Sequence, residues 1–146
     1  MDYSKMTKEE LIKILEVRDR KPANNSSNVY ELVKQYGLKD QEYFLLITLD
    51  GNLNAIKVHE ITKGLVNRTL AHPREVFRPA IKDNATSIIV AHNHPSDNLT
   101  PSQEDRELTD RLVKAGRVVG IPLVDHIILG IDNYLSLREN GDIFFD

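Results

Sequence analysis

The sequence predicts a single α/β domain built around a mixed sheet, on three observations. Segments of strand character alternate with segments of helical periodicity along the chain. In the run QEYFLLITLD, Tyr43, Leu45, Ile47 and Leu49 alternate with Phe44 and Leu46, so that strand is apolar on both faces and belongs inside a sheet. The chain has 146 residues, 40% of them hydrophobic, which suits one core of ordinary size.

The elements follow in order. Residues 7–18 (TKEELIKILEVR) read as an amphipathic helix opened by a Thr7/Glu10 capping box. Residues 21–27 (KPANNSS) read as a linker, so residues 1–25 are expected to form a helix and linker ahead of a domain at 26–146. A short helix over 28–36 is expected to stop at Gly37. Strands at 43–49 and 53–61 are joined by Asp50-Gly51-Asn52, a good hairpin turn. Pro73 suits the first position of a helix over 73–82. Strands near 123–129 and 134–137 precede a hydrophobic tail at 143–145. The chain has no internal repeat and no low-complexity tract.

The chemistry concentrates in AHNHPSDNLTPSQEDRELTDRL. Residues 86–94 (TSIIVAHNH) are rich in β-branched and apolar side chains and read as a buried strand. Side chains two apart on a strand point the same way, so His92 and His94 share a face with Ile88 and Val90. Pro95 ends the strand, and Ser96, Asp97 and Asn98 supply a turn. The next helix is expected to take Thr100 as N-cap, Pro101 as its first residue and Gln103 as the return partner of a capping box. Leu108, Leu112 and Ala115 form its apolar stripe, and Asp105 falls on the same stripe, whereas Glu104, Glu107 and Asp110 lie off it or at its edge.

A carboxylate turned toward a core needs a partner. Two imidazoles on the neighbouring strand, bridged by a cation, would meet that need. Taken singly, a His-x-His pair is most often structural and an inward aspartate most often caps a helix or pairs with arginine; together they point to a metal. Two nitrogens and one carboxylate leave a fourth position for water, the arrangement of a catalytic zinc site. A structural zinc site would normally use four ligands, commonly with cysteine, and the chain has none. Iron can also use two histidines and one carboxylate, but its facial-triad oxygenases usually occupy a different architecture. Zinc is preferred, with iron and manganese as alternatives.

HNHP, followed by Ser102 eight residues and Asp105 eleven residues after its second histidine, resembles the JAMM motif of MPN-domain metallopeptidases. More narrowly, VHEITKGLVNRTLAHPREVFRPAI, LVDHIILG and YLSLRENG are similar to the bacterial RadC branch of that superfamily. The resemblance implies an MPN/JAB, cytidine-deaminase-like α/β/α sandwich and one Zn²⁺ held by His92, His94 and Asp105, with water as fourth ligand. It further implies Glu42 as general base and Ser102 as a hydroxyl supporting the oxyanion of an amide under attack. Without the resemblance, Glu42 would read as the solvated end of a strand, and Ser102 equally as a helix-start serine bonding the backbone. The family loop commonly continues HNHPS with glycine and then Asp-Pro. Here Asp97, Asn98 and Leu99 stand instead, which adds a carboxylate near the site and is expected to loosen the loop; Asp97 tolerates a positive φ.

The remaining polar candidates carry less. Glu75 sits in the first turn of its helix, where the dipole favours a carboxylate, and reads as structural. His126, beside Asp125 in LVDHIILG, reads as a hydrogen-bonded sheet histidine. His72 reads as a loop histidine, and His59 as a residue on an exposed strand face.

The implied activity is zinc-dependent hydrolysis of a peptide or isopeptide bond. Two rivals stand beside it: a DNA-repair-associated nucleic-acid-binding protein, after the RadC name, and a non-hydrolytic MPN interaction module. A net charge of −3 and a small basic cluster of Arg18, Arg20 and Lys21 give nucleic acid little support. Retention of the three candidate ligands favours hydrolysis over the module. Lack of cysteine fits a reducing compartment, no apolar run reaches membrane-spanning length, and MDYSKMTKEE has no signal-peptide core, so a cytoplasmic location is expected.

Overall fold

The computed structural model describes residues 2–64, 71–141 and 143–145; positions 65–70 of the VHEITKGLVNRTL stretch lie outside them. Five strands, β1 (Tyr43–Leu49), β2 (Ala55–Lys63), β3 (Ser87–Asn93), β4 (Leu123–Leu129) and β5 (Tyr134–Ser136), form one sheet in the order β2-β1-β3-β4-β5. β3 and β4 run parallel, while β1–β2, β1–β3 and β4–β5 are antiparallel. The parallel pair needs a long crossover, and helix α4 (Gln103–Val119) supplies it.

Alternation along each strand divides the core between two faces. Leu46, Val90 and Ile128 face α3 (Pro73–Lys82) and α4, meeting Val76, Phe77 and Leu112. Leu45, Ile89 and Ile127 face the other way, toward Val29 and Val33 of α2 (Ser26–Val33) and its end. Every residue of β1 and β3 is buried, as expected for central strands covered on both sides. The result is an α/β domain with a mixed sheet and helices on both faces.

Helix α1 (Lys8–Arg18) carries the expected Thr7/Glu10 capping box, but none of its residues is buried and Leu15 is 55% exposed. The expected linker does not run free. Pro22 bridges Asn54, the Ala23 amide donates to the Leu53 carbonyl at 2.9 Å, and the Ala55 amide donates to Lys21 at 2.8 Å. Asn25 then caps α2 by accepting from the Asn28 amide at 2.8 Å, so the Asn-Ser run leads into a helix.

Gly37 does not end that helix. The chain tightens into a 3₁₀ turn over Lys34–Leu38, where Gly37 lies against the Gly130 carbonyl so closely that a Cβ would overlap it. β5 stops at Ser136, whose hydroxyl caps a final turn, α5 (Leu137–Asn140), by accepting from the Glu139 amide at 3.1 Å. In the tail, Phe145 is buried and Phe144 exposed. Among the described residues, no helix is long and apolar enough to cross a membrane.

Candidate metal centre

The centre forms where the C-terminal end of β3 meets the start of α4. His92 lies in the strand, fully buried on the face turned to α4. His94 lies just beyond the strand's end, and its amide still bonds the Leu129 carbonyl at 3.0 Å. The two imidazoles converge, with Nε2 atoms 2.8 Å apart.

α4 begins later than expected, at Gln103 and not Pro101. Ser102, not Thr100, is the N-cap: its Oγ accepts from the Asp105 amide at 3.0 Å while Asp105 Oδ2 accepts from the Ser102 amide at 2.8 Å. The reciprocal pair is a capping box in which aspartate replaces the usual glutamate. Pro101 therefore precedes the helix, and Gln103 is its first residue. The box fixes the Asp105 carboxylate, fully buried, with Oδ1 3.2 Å from His92 Nε2 and Oδ2 3.3 Å from His94 Nε2.

Glu42 approaches from the other side. It precedes β1, is half-buried, and offers a carboxylate oxygen that forms, with one nitrogen each of His92 and His94, a group within 4.8 Å of one another and able to hold a metal ion. Asn93, the residue between the two histidines, points to the opposite face of the sheet. Its Oδ1 accepts from the Tyr43 amide at 2.7 Å and its Nδ2 donates to the Gln41 carbonyl at 2.8 Å, so it holds the backbone on both sides of Glu42. The regular HNH triplet thus aims two imidazoles at the site and secures the third group through the residue between them. No signal in the sequence marks that role for Asn93 beyond its place in the motif.

The donor set fits a cation. His94 Nδ1 contacts the Asn98 carbonyl at 2.5 Å; a carbonyl only accepts, so Nδ1 carries the proton and Nε2 of the neutral ring offers a lone pair. Lewis-basic nitrogen and two carboxylates are therefore gathered in one small volume, a donor set that could hold a metal ion. Burial acts to raise the pKa of Asp105, yet the His92 and His94 rings in their protonated forms, with the Ser102 amide, hold its carboxyl far below the usual carboxylate range.

The site opens into a cleft of about 600 Å³ lined by Glu42, Gly64, His94, Ser96, Asn98 and Ser102. The loop that forms its wall is better fixed than its sequence suggests. Asp97 adopts φ 65°, as expected, but its carboxylate accepts from the Ile131 amide at 2.8 Å, tying the loop to the turn after β4. Leu99 is partly buried against the core instead of leaving the loop loose.

The other expectations resolve simply. His126 is a buried sheet histidine with both ring nitrogens engaged. Glu75 stands exposed in the first turn of α3, and His72 caps that helix, its Nδ1 accepting from the Arg74 amide at 3.4 Å. His59 is not on an open face: its Nε2 lies 2.7 Å from Asp83 at the end of α3, because α3 packs beside β2.

Residues 23–142 match the family described as the RadC-like JAB domain. A UPF0758 protein of Thermotoga maritima is 44% identical over 120 residues, covering 82% of this chain and 54% of the relative. A UPF0758 protein of Picosynechococcus is 52% identical over 101 residues, 69% of this chain and 42% of the relative. One from Clostridium perfringens is 42% identical over 126 residues, 86% and 54% of the respective chains. The chain spans about half the length of these curated relatives. The matched residues run from before Glu42 to beyond Asp105, over a five-stranded mixed sheet of the JAB/MPN type, and this chain belongs to the RadC-like JAB domain family.

Proposed function

We propose that this protein is a zinc-dependent hydrolase of amide bonds, of peptide or isopeptide type, with His92, His94 and Asp105 as metal ligands. The observation that supports it most directly is the approach of both oxygens of one buried carboxylate to within 3.2 and 3.3 Å of two imidazole nitrogens beside a solvent-open cleft. Asp105 suits the ligand role because its position is fixed by the capping box and it is wholly buried. Glu42 suits proton transfer because it is half-buried and lines the cleft, where water and substrate have access.

When bound, zinc supplies Lewis acidity: it acidifies water and polarises a carbonyl. Glu42 accepts the proton released by the attacking water and returns it to the leaving amine. The Ser102 oxygen that accepts the Asp105 amide still carries a hydrogen, which it can donate to the oxyanion forming in the cleft. Asn93 holds Glu42 in register with the histidines.

Metal analysis of the purified protein, followed by a peptide-library cleavage screen, tests the reading. Wild type is expected to carry about one zinc per chain, the occupancy of a single catalytic site, and to cleave. Glu42→Ala is expected to keep the metal and lose cleavage, and His92→Ala to lose both. Full activity in Glu42→Ala would remove the general-base assignment.

A further inference from the structure

The geometry points to His126, anchored by Thr109, as a positioning residue that sets the tautomer of His92 and thereby presents its Nε2 to the metal; the inference rests on the ligand assignment above. The two histidines of the centre are held differently. His94 is set by a backbone carbonyl, which can only accept. His92 Nδ1 instead meets another imidazole, His126 Nε2, at 2.7 Å, and two rings facing each other leave open which one donates.

Thr109 resolves it. On α4, the Thr109 hydroxyl donates to the Asp105 carbonyl at 2.6 Å, which commits its single hydrogen. The same oxygen lies 2.6 Å from His126 Nδ1, so that contact requires His126 to donate from Nδ1. In the neutral ring, His126 Nε2 is then the acceptor, His92 Nδ1 is the donor, and the His92 lone pair lies on Nε2, beside His94 and Asp105.

The rings have little room to turn. Both histidines and Thr109 are fully buried. Phe44 stacks on His92 at 6.3 Å between centroids and meets His126 edge-on at 5.9 Å. The string of bonds starts at the Asp105 backbone and ends on the His92 ring, so two proposed ligand positions from separate elements are tied together. His126 touches neither the cleft nor the reacting atoms.

¹⁵N-labelled histidine signals of the metal-free protein at mildly alkaline pH test the tautomer directly. His126 is expected to be protonated at Nδ1 alone, and His92 to carry a proton on Nδ1. Thr109→Val is expected to turn His126 into a tautomer mixture, and Thr109→Ser to restore the wild-type pattern. Zn²⁺ competition titration against a chromophoric chelator should then show affinity lowered about 10- to 100-fold by His126→Phe and by Thr109→Val, with Thr109→Ser near wild type. A proton on His126 Nε2, or wild-type zinc affinity in folded Thr109→Val, overturns the inference. A purely structural role would lower melting temperature and leave the tautomer and the affinity unchanged. If wild type takes up no zinc, the hydrolase reading falls, and the imidazole signals still decide the tautomer.

Discussion

Among the described residues, each side of the sheet buries one aspartate, Asp105 on α4 and Asp125 in β4, and the two are driven in opposite directions. Asp105, on the α4 side, faces two imidazoles and is held strongly ionised against its own burial. Asp125, on the α2 side, is also buried, and burial raises its pKa; hydrogen bonds from Ser136, the Arg138 amide and the His126 amide offset this only in part, and Glu139 adds repulsion. Asp125 is well supplied with hydrogen-bond donors, and Asp105 accepts from the Ser102 amide. The difference is that amides and hydroxyls satisfy lone pairs without neutralising charge, whereas protonated imidazoles, or a cation held by neutral ones, supply charge. Burial alone therefore does not distinguish the two acids; the charge their partners can carry does.

The largest test of that contrast is neutralisation of each acid in turn. Asp105→Asn should abolish zinc retention and cleavage, since a neutral amide is a poor ligand, and weaken the α4 cap by about 1 kcal/mol. Metal content after gel filtration and a thermal melt would check both. Asp125→Asn should leave the metal content unchanged, and retention of zinc by Asp105→Asn would erase the contrast.

Asn93→Ala comes next. It breaks the hold on Gln41 and Tyr43 from the Asp125 side of the sheet, and buried backbone groups left without their partner cost about 1–3 kcal/mol. A urea titration should show that loss, while kcat falls with zinc affinity unchanged because only Glu42 is displaced.

The smallest effects are in pH dependence, and they have opposite signs. Asp125 has a raised folded pKa, so its contribution to stability is present below the ordinary aspartate pKa and is lost as pH rises through the folded value. Asp125→Asn should remove that fall from urea midpoints measured across the acid range. Asp83 is the reverse case: burial opposes ionisation, but His59 and Thr48 bond its carboxylate and lower its pKa. Its contribution is present above the ordinary aspartate pKa and disappears as pH falls through the folded one. Asp83→Asn should cost at most about 1 kcal/mol near neutrality, less in high salt, and nothing in strong acid.

Much of the fold was legible because its strands announce themselves. β1 and β4 fall at the expected residues, and α3 begins at Pro73 as its ring geometry requires. The misreadings arose where one local signal outweighed another. Thr100-Pro101 is a plausible helix start, but Ser102 and Asp105 make the reciprocal bonds, and the helix follows them. Residues 21–27 have loop composition, and an isolated bridge to Asn54 and the Asn25 cap hold their backbone. His59 looked exposed because its strand pattern does not reveal that α3 ends against it.

By itself the sequence determined which side chains share a face: a period of two aligns His92 with His94, and a period near 3.6 puts Asp105 on the buried stripe of α4. Only the tertiary structure decided what those faces meet. It carried Glu42 beside the histidines through Asn93, set Asp105 by its cap, and placed His126 and Thr109 behind His92. Periodicity is a property of one element, whereas the protonation pattern and electrostatic balance of a site belong to groups brought together from several.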